Sequence, residues 1–182
     1  MLKKSVQNLA PGDIAFEYFT YANGAVPATL LTTQSWTNIT GTQAIATNQL
    51  QMSTASAMRT VTHASRDVML RSKLVSKLGE AIIVRRDSVG YYYVANTSTG
   101  TKVGYFLTSG SVDTQLALIT GNAANDVVTV IAQGANIDVI RNNSIIYQFL
   151  DNRTLATAKD HGLLNYTAGT VLFDDFFLIP TL

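Results

Sequence analysis

The stretch 126–178 constrains the fold most. It reads DVVTVIAQGANIDVIRNNSIIYQFLDNRTLATAKDHGLLNYTAGTVLFDDFFL, with apolar residues in runs of three to five broken by Gly, Asn and Asp. Runs of that length between turn-forming residues predict consecutive antiparallel strands. Asn142-Asn143 falls where a tight hairpin needs φ > 0, a conformation Asn tolerates better than most residues.

The same reading extends towards the N-terminus. Residues 14–19 form a first strand, and 29–52 hold short strands around Trp36, Ile39, Ile45 and Leu50. Over 67–74, Val68, Leu70, Ser72 and Leu74 alternate with Asp67, Met69, Arg71 and Lys73, which predicts a strand despite an acceptable helical spacing. Residues 81–86 and 91–95 form adjacent strands joined by a turn over 87–90, and 103–107 with 115–119 form a further hairpin. Two sheets packed face to face bury alternate residues of such strands. The expected core therefore contains Ile82, Val84, Tyr92, Val94, Val128, Val130, Ile137 and Val139.

Composition narrows the class. The 182 residues are 47% hydrophobic, which suits one domain with a sizeable core. Charged residues make up 14%, below the typical ~25%, so Thr, Ser, Asn and Gln carry solubility. A formal charge of +1 gives no electrostatic footprint for nucleic acid or an anionic membrane. The chain has no cysteine, which removes disulfides, thiolate catalysis and zinc–thiolate sites. The first residues, MLKKSVQNLAPGD, lack the apolar core of a secretory leader, and no apolar run approaches the ~20 residues that span a bilayer. The expected organisation is an arm over residues 1–12, ending at Pro11-Gly12, and one domain over 13–182.

Particular residues give the sandwich a more specific form. Val128, Val130, Gly134, Ile137, Val139 and Asn142 are followed by His161-Gly162-Leu163 and then by Phe173-Asp174-Asp175-Phe176. This order resembles the closing strands of concanavalin A-like jelly rolls, the superfold of laminin-G domains, lectins and glucanases. A second tract, Val84-Arg85-Arg86-Asp87 followed by the strand with Tyr92 and Val94, is similar to two adjacent strands of that superfold. The resemblance spans roughly 16–178 and implies an all-β, two-sheet antiparallel jelly-roll sandwich with a short N-terminal arm. It leaves function open, because this superfold hosts unrelated activities.

The glucanase branch hydrolyses glycosides with two carboxylates, and for retention these stand ~5–5.5 Å apart. This chain has two glutamates, Glu17 and Glu80, and neither lies in an alternating acidic motif. Asp174 and Asp175 are adjacent, so a regular strand sends them to opposite faces. Calcium needs 6–8 oxygen ligands, and no second acidic cluster lies near them in sequence. His63 and His161 lack acidic partners at metal-ligand spacing, and Asp160-His161-Gly162 reads as a loop. No nucleophile elbow, Walker A or dinucleotide motif occurs. The expectation is a non-enzymatic protein with no catalytic residue, cofactor or metal.

Aromatic residues are the remaining handle. With Tyr92 in the core, Tyr91 and Tyr93 lie on the other face, and with Arg86 they can form a sugar-stacking or subunit-contact patch. Trp36 is a further candidate contact, set against a place in the core. Arg85 and Arg86 split between faces, and an inward Arg needs a partner, with Asp174 or Asp175 as candidates. Two roles follow. The first is a structural virion protein of a bacteriophage, a capsid decoration (cement) protein or head or tail appendage. It would be made in the host cytoplasm and bind capsid or tail subunits through its arm and sheet surface as a homotrimer, since closed symmetry matches capsid positions. The alternative is a glycan-binding adhesin that recognises a cell-surface glycan.

Overall fold

The computed structural model of the chain describes residues 14–32, 34–151 and 158–181. The arm expected over 1–12 lies outside the described residues. The described residues form fifteen strands: β1 (Ala15–Glu17), β2 (Thr37–Thr40), β3 (Gln43–Ala46), β4 (Gln49–Met52), β5 (Met58–Thr62), β6 (Val68–Leu74), β7 (Glu80–Arg86), β8 (Gly90–Asn96), β9 (Thr101–Leu107), β10 (Val112–Ile119), β11 (Asp126–Gln133), β12 (Asn136–Arg141), β13 (Ser144–Leu150), β14 (Asp160–Asn165) and β15 (Val171–Pro180). A back sheet runs β13-β12-β11-β6-β15-β4-β3, with β1 also paired to β15, and a front sheet runs β10-β9-β8-β7-β14-β5-β2. Ladder after ladder is antiparallel, as in the two-sheet sandwich the residue pattern predicts.

Alternation explains the core. In β6, Val68, Leu70, Ser72 and Leu74 are all fully buried, while Arg71 between them is exposed. All eight core residues expected from the pattern lie in one apolar cluster between the sheets. Each fully buried Val, Leu, Ile or Phe contributes roughly 1.5–3 kcal/mol. Asn142 and Asn143 take φ of 50° and 67° and turn β12 into β13 as expected.

Strict alternation fails at several bulges, and two of them shape the sites described below. Phe173 and Phe176 are three residues apart, so an unbroken strand would put them on opposite faces. The β15–β6 register jumps between Asp174 and Phe177, and Asp175 takes φ 53°. The extra residue turns both phenylalanines inward, where they are fully buried. Asp174 faces Lys73 at 3.5 Å, and Asp175 is left at the surface.

The second bulge lies in β7. Arg86 pairs with Asp160 and Ile83 with Gly162, so Val84 and Arg85 together oppose His161. Arg85 takes φ 53° and is fully buried. Its partners are not Asp174 or Asp175, as sequence spacing suggested, but Asp151 (2.7 Å) and Asp67 (2.8 Å). It also donates to the carbonyls of Gly134 (2.7 Å) and Arg66 (3.5 Å). Asp151 in turn accepts the Tyr92 hydroxyl at 2.6 Å. One guanidinium on the front sheet thus ties down three back-sheet connections. Truncating one partner of a buried ion pair strands the others, so Arg85→Ala is expected to cost about 3–5 kcal/mol in urea denaturation. A loss under ~1 kcal/mol contradicts this role.

His161 is another correction. It lies within β14 rather than in a loop, and it is fully buried. Its Nδ1 accepts the Arg85 N–H at 3.2 Å, and its Nε2 has no partner. Burial, and then the charge of His63, lowers its pKa from 6.5 to about 3. Glu80 is also fully buried. One of its oxygens accepts the Ser76 N–H and the other has no partner. Burial raises its pKa from 4.5 to about 7, against the pull of that hydrogen bond.

These two groups act on stability in opposite senses. Between about pH 3 and 6.5 the unfolded chain binds a proton on His161 that the folded chain refuses, so stability falls as pH drops through that window. Between 4.5 and about 7 the folded chain keeps a proton on Glu80 that the unfolded chain has lost, so stability falls as pH rises. Where the windows overlap, the two slopes offset, each at most ~1.4 kcal/mol per pH unit. Glu80→Gln is expected to remove the decline on the alkaline side, leaving a urea midpoint that climbs up to pH 6.5. A pH profile of the midpoint identical to that of the parent chain contradicts the burial-driven protonation of Glu80.

Candidate functional site

The outer face of the front sheet carries a second apolar cluster of Met58, Ala81, Ile83, Tyr93, Ala95 and Leu164, with Ile39, Tyr91 and Tyr166 packed against it. The cause is the parity of β8. Tyr92 points inward to Asp151, so its neighbours Tyr91 and Tyr93 point outward. The register then sets Tyr91 beside Phe106 and Tyr93 beside Gly104 of β9, with Phe106 in turn beside Asp113 of β10.

Tyr93 lies nearly flat under this surface, 1% exposed. It is therefore a buried post rather than the exposed platform suggested by its neighbours. Gly104 makes that pose available, because a Cβ there would stand 2.5 Å from the Tyr93 hydroxyl and 2.5 Å from the Thr114 carbonyl oxygen. The Tyr93 hydroxyl donates to Asp113 Oδ1 at 2.5 Å. Asp113 Oδ2 accepts from the Tyr166 hydroxyl (2.5 Å) and from Lys102 Nζ (2.9 Å). Lys102 also donates to the Tyr166 hydroxyl at 2.5 Å and rides over the Tyr166 and Tyr93 rings at 5.1 and 5.5 Å. Such cation–ring contacts contribute about 0.5–1 kcal/mol at accessible sites.

Asp113 is the hub of this group. Partial burial opposes its ionisation, but the hydrogen bonds from Tyr166, Tyr93 and Lys102 outweigh it and hold the carboxyl below its usual range. Burial, followed by the bonds to Asp113 and Tyr166, pushes the Tyr93 phenol far above its ordinary range. Tyr91 rises to about 12, first through burial and then through the charge of Asp113, with Arg86 acting against it. Arg86 pairs with Asp160 at 3.2 Å. Both cations named on this face are thus neutralised by a partner on the same face.

A cleft of about 240 Å³ opens above the hub, lined by Ser56, Tyr91, Phe106, Asp113, Leu164, Asn165 and Tyr166. Tyr91 and Phe106 stack side by side with centroids 5.4 Å apart. Of the residues expected from sequence, Tyr91 lines the cleft, Tyr93 supports it from below, and Arg86 lies near Tyr91. Trp36 does not join them. It is 7% exposed and packs in the core between Phe19 (6.4 Å) and Phe176 (4.7 Å), under the Arg59 guanidinium at 5.5 Å. It is therefore a core residue and not a surface contact. Among the described residues no group of three or more His, Cys, Asp or Glu is placed to hold a metal ion.

Asp113, Phe106, Lys102 and Tyr166 were not legible as site residues. The hairpin expected from 103–107 and 115–119 left 108–114 as loop, whereas the turn is tight and β10 begins at Val112. Pairing Leu107 with Val112 would have put Asp113 across from Phe106.

No family model matches the chain, and no curated protein matches its sequence. Solved structures do match its fold. A carbohydrate-binding module, CBM66 from Bacillus subtilis, aligns with a TM-score of 0.60 at 16% identity over 76% of this chain and 91% of that one. The Crh5 transglycosylase in complex with NAG aligns at 0.60 with 11% identity, over 94% and 86%. The exoplasmic/lumenal domain of VIP36 in its Ca²⁺/Man3GlcNAc-bound form aligns at 0.55 with 11% identity, over 81% and 83%. The fold is a concanavalin A-like jelly-roll sandwich, and its neighbours include both binding modules and glycosyl hydrolases.

Gly104→Ala is expected to force the Tyr93 ring off Asp113 and to cost about 1–3 kcal/mol of stability by overpacking. Urea denaturation reads the loss, and a variant as stable as the parent contradicts the close contact.

Proposed function

We propose that the chain is a non-catalytic module that binds an uncharged glycan in the cleft on the outer face of its front sheet. The observation that carries this reading is the juxtaposition of half-buried aromatic rings, Tyr91, Phe106 and Tyr166, with the accessible carboxylate of Asp113. Sugar rings present apolar C–H faces and hydroxyl edges, so an aromatic wall with a few placed polar groups suits them. Asp113 keeps acceptor capacity on Oδ1, and the hydroxyls of Tyr91 and Ser56 have no hydrogen-bond partner among the described residues.

Charge pairing selects the ligand class. Lys102 is held by Asp113 and Arg86 by Asp160, so neither of these two cations is left free to bind a carboxylate or sulfate. Catalysis draws no support from the geometry, because the cleft is lined by one carboxylate and glycoside hydrolysis uses two. The likeness to carbohydrate-binding structures supports glycan binding over a role on a virus particle. Assembly with capsid or tail proteins and a trimeric state rest on the sequence expectation alone. A cleft of this size holds few sugar contacts, so display in several copies would supply avidity of ~10²–10⁴ without new contacts.

An immobilised panel of neutral and acidic glycans, followed by calorimetry on the hits, tests the reading. Neutral glycans are expected to bind, and Tyr91→Ala or Phe106→Ala to weaken them roughly tenfold or more. Binding confined to sialylated or uronic glycans, or left unchanged by both substitutions, would falsify it.

A further inference from the structure

The outer face of the back sheet holds a separate cleft of about 260 Å³, lined by Tyr18, Arg71, Asp175, Phe176 and Phe177. Three neighbouring chain segments meet there. Phe16 of β1 pairs with Phe177 of β15, which pairs with Arg71 of β6. Continuing the β1–β15 register by one residue sets Tyr18 beside Asp175.

The polar side chains of the cleft, Tyr18, Arg71 and Asp175, are exposed at its rim. Tyr18 is 50% exposed, and its ring tilts against Phe16 with centroids 5.4 Å apart. A buried carboxylate fixes its pose: Glu17 Oε1 accepts the N–H groups of Tyr18 and Phe19 at 2.9 Å each, and Oε2 accepts the Tyr21 hydroxyl at 3.0 Å. Phe19 takes φ 54° to close that turn. The side chains of Arg71 and Asp175 make no hydrogen bond or ion pair among the described residues. The β15 bulge lifts Asp175 to the rim at φ 53°. Its carboxyl is pushed above its usual range, by burial first and then by Asp174, with Lys73 and Arg71 acting against the rise. Non-glycine residues held at positive φ are strained and cluster at ligand sites.

We infer that this back cleft is a second ligand site, which takes a single uncharged sugar ring against Tyr18 between Asp175 and Arg71. The site pairs one acceptor-only group with one donor-only group and has no net charge. A vicinal diol offers both donors and acceptors to such a pair, and Tyr18 supplies the wall for a C–H face. The volume falls below the ~300–1,000 Å³ of drug-sized pockets, which suits one ring rather than an extended chain. The ligand class rests on the same reading as the front face, a module for neutral glycans. Two sites on opposite sheets would let one copy bridge two glycan chains.

Methyl glucopyranoside, methyl galactopyranoside and methyl mannopyranoside, each titrated into ¹⁵N-labelled full chain and followed by amide chemical shifts, test the inference. At least one is expected to shift the Tyr18, Arg71, Asp175 and Phe177 amides saturably. In Tyr18→Ala the half-saturation concentration should rise roughly five- to tenfold, while the Tyr91, Phe106 and Asp113 amides titrate as in the parent chain. Asp175→Asn should weaken the same set, and because Asn tolerates φ > 0 it preserves the bulge. Absence of shifts at the back amides overturns the second site whether or not the front amides shift, and the front reading stands or falls on the glycan panel. Back-cleft shifts produced by free glycine and by none of the pyranosides overturn the sugar assignment in favour of a zwitterion.

Discussion

The buried guanidinium of Arg85 is the interaction on which the rest of the sandwich depends. A charge taken out of water needs partners with good geometry, and here one side chain satisfies Asp151, Asp67 and two carbonyls from back-sheet connections. That knot also fixes Asp151, which holds the Tyr92 hydroxyl. With Tyr92 pinned inward, the two-residue period leaves Tyr91 and Tyr93 no choice but the outer face. A charge in the interior therefore sets which aromatic rings reach the front surface.

From that parity the front site follows by short steps. Gly104 gives Tyr93 room to lie flat, Tyr93 meets Asp113, and Asp113 gathers Tyr166 and Lys102. The group is charge-paired and rigid, and it presents rings and one carboxylate to solvent. The back cleft is built by a different device with the same outcome. There a buried Glu17 and a bulge at Asp175 hold a tyrosine and a carboxyl at the surface, beside Arg71 of β6. The neutral front hub selects against charged ligands, while the open charges at the back offer donors and acceptors directly.

Much of the fold was legible because a period of two is a strong signal. Val68, Leu70, Ser72 and Leu74 in β6, and the paired asparagines at 142 and 143, behave as their spacing predicts. The bulges were not legible, since nothing in local spacing marks Arg85 or Asp175 as left-handed. For that reason Arg85 was matched with the wrong aspartates. His161 read as loop because it lies between an acid and a glycine, yet Gly162 serves a close approach to Arg59, whose carbonyl oxygen would lie 2.0 Å from a Cβ there. Half of the front site was visible in the triple tyrosine. The other half depends on the register of a hairpin whose turn is shorter than its polar residues suggest.

The most direct test of the central claim is a crystal structure of the chain with a neutral oligosaccharide taken from the glycan panel. The account predicts a sugar ring against Tyr91 and Phe106, with a hydroxyl on Asp113. A panel that yields no neutral ligand, or a ligand that leaves the Tyr91–Phe106–Asp113 cleft empty, would contradict it.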